Sequence, residues 1–288
     1  MAEVPDLSGE SLQRLATMLS DDPTLRASVG TVMADRVETA LSAYFRNPAR
    51  FRTVQGNAHV VLSGSWVLHL IMTFSSTNIP TWMEGDLDIY CHEDGLAVIM
   101  ACLLEEGYVP APRSITPWDT RSKSSNKGII SRVLKFRHEE RELKINIVCT
   151  KAATPFEAVL DFWTTLVMNV VTVHELIVLY PDLTLSKQGR QPISRLQTRG
   201  VSDLLTKYIA RGFQIWPFSR QRPCGYRPNQ LRNTRDRYCL TLPIAYPDGF
   251  ARASTGSMVT EWKMGGCVGD EDEIAYTATT QAPVRAPM

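Results

Sequence analysis

Two short stretches hold residue types that can do chemistry. Asp86-Leu87-Asp88-Ile89-Tyr90 sets two carboxylates two positions apart in an apolar run. On a strand, alternate side chains share a face, so Asp86 and Asp88 point the same way, ~7 Å apart, while Leu87, Ile89 and Cys91 point into a core. Like charges at that spacing repel unless a cation lies between them. Mg²⁺ (or Mn²⁺) fits, because a hard ion of this kind takes one or two carboxylates, several waters and a substrate's phosphates. The second stretch is Val60-Val61-Leu62-Ser63-Gly64-Ser65. Gly64 lets a ligand approach the backbone. The amides that open the following helix would face an anion, and Ser65 could donate its hydroxyl. Asp270-Glu271-Asp272 repeats the acidic spacing, but in an acidic tail with no apolar strand around it.

The elements that must position these residues follow from periodicity. Residues 9–45 read as helical: Ser8 or Ser11 caps a helix containing Leu12, Leu15, Met18 and Leu19, and Asp21-Asp22-Pro23 opens the next. Residues 46–52 read as a polar loop. A β-prone run, 59–62, ends at Ser63-Gly64-Ser65, and a helix follows over 66–74. Residues 75–85 form a loop and 87–91 a strand. Glu93-Asp94 leads a helix that buries Leu96, Ile99, Met100, Leu103 and Leu104 and stops at Gly107. After a Pro/Ser/Lys loop over 110–128, residues 129–136 and 143–149 make a hairpin with His138-Glu139-Glu140 at its turn. A mainly helical region opens at Thr154-Pro155 and runs to 215. Residues 216–237 are rich in Pro, Arg and Asn, and the last twenty residues read as a poorly ordered tail. The expected fold class is α+β. Its segments are N-terminal helices (1–50), a core (51–150), a helical region (151–215) and a Pro/Arg-rich segment with a flexible tail (216–288). Gly-Ser ends one strand and Asp-x-Asp opens its neighbour. Both are therefore predicted to meet at one edge of a mixed sheet of three or more strands, with helices 66–74 and 94–106 packed on it.

A strand ending in Gly-Ser, a helix, and a strand with two in-line acids resembles the nucleotidyltransferase superfamily, the polymerase-beta-like fold. The resemblance covers roughly 56–150, about a third of the chain. It implies that Gly64 and Ser65 form the phosphate-binding turn and that Asp86 and Asp88 are the first two metal ligands. The spacer of twenty residues, 66–85, is longer than the family usually shows. Trp82-x-x-Gly85-Asp86-x-Asp88 looks like the branch that transfers phosphocholine-type or sugar-linked phosphate groups. The whole layout, with Asp88-Ile89-Tyr90 and Leu166-Val167-Met168-Asn169, looks like an uncharacterised fungal branch of the fold. The family's third acid sits on a later strand, which here reads Glu142-Leu143-Lys144-Ile145-Asn146-Ile147-Val148. The apolar members are Leu143, Ile145 and Ile147, so Glu142, Lys144 and Asn146 share the other face, and the third acid's position falls at Asn146. An amide carries no charge and cannot accept a nucleophile's proton, a contribution of typically ~10²–10⁴ in rate. Its presence also weakens the clamp of a two-metal site. Glu142 lies ~13 Å from position 146. Asp119, in the basic loop, is another acid with no particular support.

Charge is segregated along the chain. Thr81 to Glu106 holds seven acids and no Lys or Arg; Arg113 to Lys144 is net +5 and Lys187 to Arg237 is net +10. The bland reading is a solvated surface. The sharper one is an acidic cation site between basic walls that attract phosphate. The arginines from Arg211 to Arg237, with Trp216, Tyr226 and Tyr238 among them, could bind phosphate or RNA, against a solvated segment as the simpler reading. His174-Glu175 lacks the second His of a metalloprotease helix and reads as a polar notch in an apolar helix. Ser63-Gly64-Ser65 is followed by no Gly-Lys-Ser/Thr, which excludes a Walker loop.

Composition bounds the classes. The 288 residues are 44% hydrophobic and 21% charged, which is globular. With 31 Lys+Arg against 30 Asp+Glu, the chain is no simple polybasic nucleic-acid binder. No uninterrupted run of ~20 apolar residues predicts a membrane span. The acidic N-terminus does not read as a secretory signal. Six cysteines without a C-x-x-C pair read as free thiols, pointing to the cytoplasm or nucleus.

The expected function is a nucleotidyltransferase-fold protein that binds a metal-nucleotide or related phosphate ligand and is catalytically degenerate at Asn146. One alternative is an active Mg²⁺-dependent transferase, with Lys123, Lys127 or Arg132 neutralising pyrophosphate. A lower one is an Asp-x-Asp glycosyltransferase. The expected partner is a nucleoside triphosphate or a phosphate-containing small molecule, not a membrane.

Overall fold

Asp22 accepts hydrogen bonds from the backbone N–H groups of Thr24 and Leu25 and so caps the first helix, α1 (Pro23–Leu41). The computed structural model describes residues 18–19, 21–74, 80, 82, 85–112, 129–152, 154–191, 201–217, 231–246 and 261–263. Helix 9–19, most of loops 75–85 and 110–128, and the tail lie largely or wholly outside them.

Residues expected to form a polar loop are instead helix α2 (Pro48–Asn57). Asn47 is its cap, accepting from Arg50 N at 3.0 Å, and Pro48 fills the first turn, where a missing N–H costs nothing. Phe51 stacks on Phe45 with ring centroids 3.9 Å apart. The buried Arg52 donates to Glu38 and to the carbonyls of Val173 and Ala245. The polar look of 46–52 came from residues that cap and cross-link.

The centre follows the alternation. Strand β1 (Val61–Ser63) leads into α3 (Gly64–Met72), then β2 (Asp86–His92) and α4 (Glu93–Glu105). Helix α4 buries Leu96, Ile99 and Leu103 and is followed by Gly107 at φ +88°. Leu104, expected inside, is 53% exposed because it lies on the outer side of that helix. Strand β3 (Tyr108–Pro110), β4 (Ile130–His138) and β5 (Lys144–Thr150) complete this half, with the predicted hairpin between β4 and β5.

The region expected to be mainly helical departs most from expectation. Two of its helices, α5 (Phe156–Leu160) and α6 (Pro181–Leu185), have five residues each. A 3₁₀ turn (Thr165–Val167) precedes β6 (Asn169–Val171), and β7 (Glu175–Val178) pairs with it. His174 and Glu175 thus stand at a strand turn, where Glu175 takes two hydrogen bonds from Arg235. Short apolar runs buried on both faces do not show which period they obey, and the β-branched residues at 170–178 favour the strand. Strand β8 (Gln188–Gln191), α7 (Val201–Ala210), β9 (Gln214–Pro217), β10 (Leu231–Asn233), β11 (Leu240–Pro243) and β12 (Glu261–Lys263) follow.

Eight strands form one mixed sheet in the order β11-β7-β6-β1-β2-β5-β4-β3, so strands from both sides of residue 150 share it. Only β2 and β5 run parallel within it. One face packs Leu62, Leu87, Ile89, Cys91, Ile145 and Ile147 against helices α1 to α4. The other carries Val61, Tyr90, Val133 and Val148 beneath Phe156, Val159 and Leu160. Smaller ladders join β8 to β9 and β10 to β12. Cys91, Cys102, Cys149 and Cys239 are free and buried. No helix among the described residues is long and apolar enough to cross a membrane.

Candidate functional site

The register brings the two stretches together. Antiparallel pairing of β1 with β2 sets Ser63 opposite Asp88, in the interior of the sheet and not at the edge expected, because β6, β7 and β11 extend it beyond β1 and β5, β4 and β3 beyond β2. Gly64 then turns the chain into α3 with φ +77°, a conformation that side chains other than glycine's rarely adopt. A methyl at this position would come closer than 3.0 Å to Asp88 Oδ2. The carboxylate therefore rests against the backbone at the helix's first turn, where partial positive charge favours it. Ser63 Oγ donates to Asn169 O at 2.6 Å, tying the turn to β6, and Ser65 is almost buried beside it.

Parallel pairing of β2 with β5 sets Asp86 beside Lys144 and Asp88 beside Asn146. Asn146, the position the resemblance implied for a third acid, stands level with the second acid. Its Nδ2 donates to Asp88 Oδ1 at 2.8 Å. Asp88 is thus held from two sides, by the Gly64 turn and by an amide. One strand further out, Lys135 is level with Asn146 and Arg137 with Lys144. Alternation puts Asp86, Asp88, Lys144, Asn146, Lys135 and Arg137 on one sheet face. Asp86, Lys144, Lys135 and Arg137 are exposed; Asp88 and Asn146 are half-buried. The basic residues of β4 and β5 were missed as part of the site because only the register shows which of them align with the acids.

Farther along the same face the surface turns apolar. Tyr90, two residues beyond Asp88, is buried against Phe162, with ring centroids 5.7 Å apart. Burial, the Asp88 charge and Tyr208 push its phenol well above the usual value, so it stays protonated. Tyr208 on α7 also approaches Trp163, with centroids 5.7 Å apart.

Other expected contributors fall elsewhere. Arg132 pairs with Glu93 near the opposite end of the sheet, three strand positions and ~10 Å past the level of Asn146. Glu142 is exposed in the turn before β5. Asp119, Lys123, Lys127 and Asp270-Glu271-Asp272 lie outside the described residues. In the Arg-rich segment, Arg211 lies over the Trp82 ring at 4.2 Å. Arg232 is buried among Tyr180, Tyr238 and Trp262 and is paired with Asp236. Arg235 pairs with Glu175, so Arg211, Arg232 and Arg235 link parts of the fold, while Arg237 meets its chain neighbour Tyr238; Arg220, Arg222, Tyr226 and Arg227 lie outside the described residues.

Asp86 and Asp88 suit one hard cation held by two carboxylates, waters and a ligand's phosphates. Among the described residues no group of three or more His, Cys, Asp or Glu side chains could hold a metal. No family model, curated protein or solved structure matches the chain.

Proposed function

We propose that the Gly64–Ser65 turn and the Asp86/Asp88 face bind a nucleoside triphosphate or related phosphate ligand together with one Mg²⁺ or Mn²⁺, and that this site does not transfer the bound group. The reading starts from the resemblance of the Gly64–Ser65 and Asp86–Asp88 sequence pattern to that of the nucleotidyltransferase superfamily, including its fungal branch. The single observation that carries it is the Asn146–Asp88 hydrogen bond beside Gly64. The turn that would receive a phosphate already faces a carboxylate. Two anions can share that space only with a cation between them, which links ligand binding to metal. Asp86 and Asp88 would hold the ion, whose contribution when bound is to neutralise phosphate charge. Ser65 and the first amides of α3 would orient the phosphates, and Lys135, Lys144 and Arg137 would add positive charge along the rim. At position 146 a transferase needs a proton acceptor; an amide that donates to Asp88 is not one.

Thermal melting with Mn²⁺ and a nucleoside triphosphate tests the binding. The two together should raise the Tm of the unaltered protein by more than either alone, and the gain should vanish in Asp88→Asn. An equal gain in that variant removes the metal-linked site.

A further inference from the structure

A second feature lies outside the Asp88 face and does not depend on that proposal. Arg190, on β8, is only 5% exposed. Its backbone N–H donates to Thr165 Oγ1 at 2.9 Å, fixing its strand against the 3₁₀ turn that precedes β6. Its guanidinium is not similarly satisfied. Nε and Nη1 are sealed from solvent, and no acceptor meets either among the described residues. No carboxylate pairs with it among them. Between positions 188 and 217 the only acid is Asp203, and that side chain is exposed on α7.

Burying a charge without a counter-charge is among the costliest arrangements in a fold. A buried lysine can shed its proton and become neutral; a guanidinium cannot. The charge on Arg190 therefore needs an anion. A second unmet group lies on a neighbouring element. Helix α6 packs against β8 and the 3₁₀ turn, and the buried Thr184 hydroxyl on it has no partner among the described residues. Trp216 stands beside Arg190 across the β8–β9 ladder, giving a flat wall.

We propose that Arg190 anchors a buried oxyanion site. Its unmet Nε and Nη1 groups donate to the oxygens of a phosphate or carboxylate group carried by a small molecule. Planar, forked donors match this class of ligand, and charge-assisted bonds of this type are roughly twice as strong as neutral ones.

The test is thermal melting of the whole chain in anion-poor buffer, titrated with inorganic phosphate in one arm and acetate in the other. Phosphate should raise the Tm by several degrees and saturate. A larger response to acetate would assign the site to carboxylates instead. Arg190→Met removes the buried charge, so its Tm without anion should equal or exceed that of the parent, and its apparent Kd for the anion should rise at least tenfold. Arg190→Lys keeps the charge and loses the fork; it should fold and also bind at least tenfold more weakly. It decides the matter if Arg190→Met does not fold. Ser65→Ala should keep the response, which separates this site from the Gly64–Ser65 turn. The proposal is overturned if the parent responds to neither anion. It is also overturned if both Arg190 variants respond like the parent, or if Ser65→Ala abolishes the response while Arg190→Met retains it.

Discussion

Asn146→Asp puts a carboxylate where an amide now donates to Asp88 Oδ1 at 2.8 Å. The hydrogen bond lost is one to a charged acceptor, ~1.5–3 kcal/mol. Two ionised carboxylates at that distance would repel by ~6 kcal/mol at an effective dielectric of about 20. They avoid this by keeping one proton between them. For a carboxylate with an ordinary value near 4, that proton costs about 4 kcal/mol at pH 7, and this caps the loss. An O–H···O bond then returns part of it, leaving a net ~2–4 kcal/mol. In a chain of this size each kcal/mol is worth ~2–4 °C, so Tm should fall by roughly 4–16 °C. The pH dependence has a definite sign. The folded variant holds its proton to higher pH than the unfolded chain, so its stability relative to the parent falls as pH rises from about 4, then levels off. A divalent cation should replace the proton, and Mn²⁺ at a hundredfold its Kd would restore ~2.7 kcal/mol. The assay is a thermal melt of both proteins across pH 4–8, with and without Mn²⁺. A variant as stable as the parent at pH 7, or one indifferent to Mn²⁺, would refute the view that Asp88 and position 146 share one charge site.

Further outcomes follow from neighbouring contacts. Gly64→Ala must hold φ at +77° and displace the Asp88 carboxylate, which should cost ~2–4 kcal/mol in chemical denaturation; in an Asp88→Ala background only the conformational part, ~1–2 kcal/mol, should remain. Arg52→Met leaves the Val173 and Ala245 carbonyls and Glu38 without their donor, and a loss of ~2–4 kcal/mol is expected from urea unfolding. The Glu93 carboxyl is held below its usual value by the hydrogen bond from Ser131 and by Arg132. That pair therefore stabilises the fold above the ordinary glutamate value and is lost as pH falls through the lowered one. Glu93→Gln should flatten the acid limb of a stability–pH curve, by under ~1 kcal/mol at so exposed a pair.

The centre of the fold was legible because local and long-range demands agree there. Leu87, Ile89 and Cys91 alternate with Asp86, Asp88 and Tyr90, and only one register buries the first set. The same alternation in β5 put Glu142, Lys144 and Asn146 on one face, and the pairing register sets Asn146 level with Asp88. Lys135 and Arg137 were not legible as neighbours of the acids, because alignment across β4 and β5 depends on the turn length between them. The strands at 169–178 were hidden for a different reason. Their residues are buried on both faces, so the alternation that marks a strand is absent. Arg190 gave no sequence signal; Arg232 of the same basic stretch is buried as well but is paired with Asp236, whereas Arg190 meets no carboxylate among the described residues.

Amide hydrogen exchange at Gly64 and Ser65, read alongside turnover in the same Mg²⁺–nucleoside triphosphate mixture, tests the binding of a phosphate ligand without transfer most directly. Slowed exchange at both amides that depends on Mg²⁺, with no turnover by the unaltered protein, is the predicted result. Asn146→Asp should then introduce turnover, raising it on the order of 10²-fold or more above background. Turnover by the unaltered protein at an ordinary ~1–10³ s⁻¹ would contradict the account, because a proton acceptor other than position 146 would then be at work. Unchanged exchange at Gly64 and Ser65 would contradict it equally, by removing the ligand from the turn.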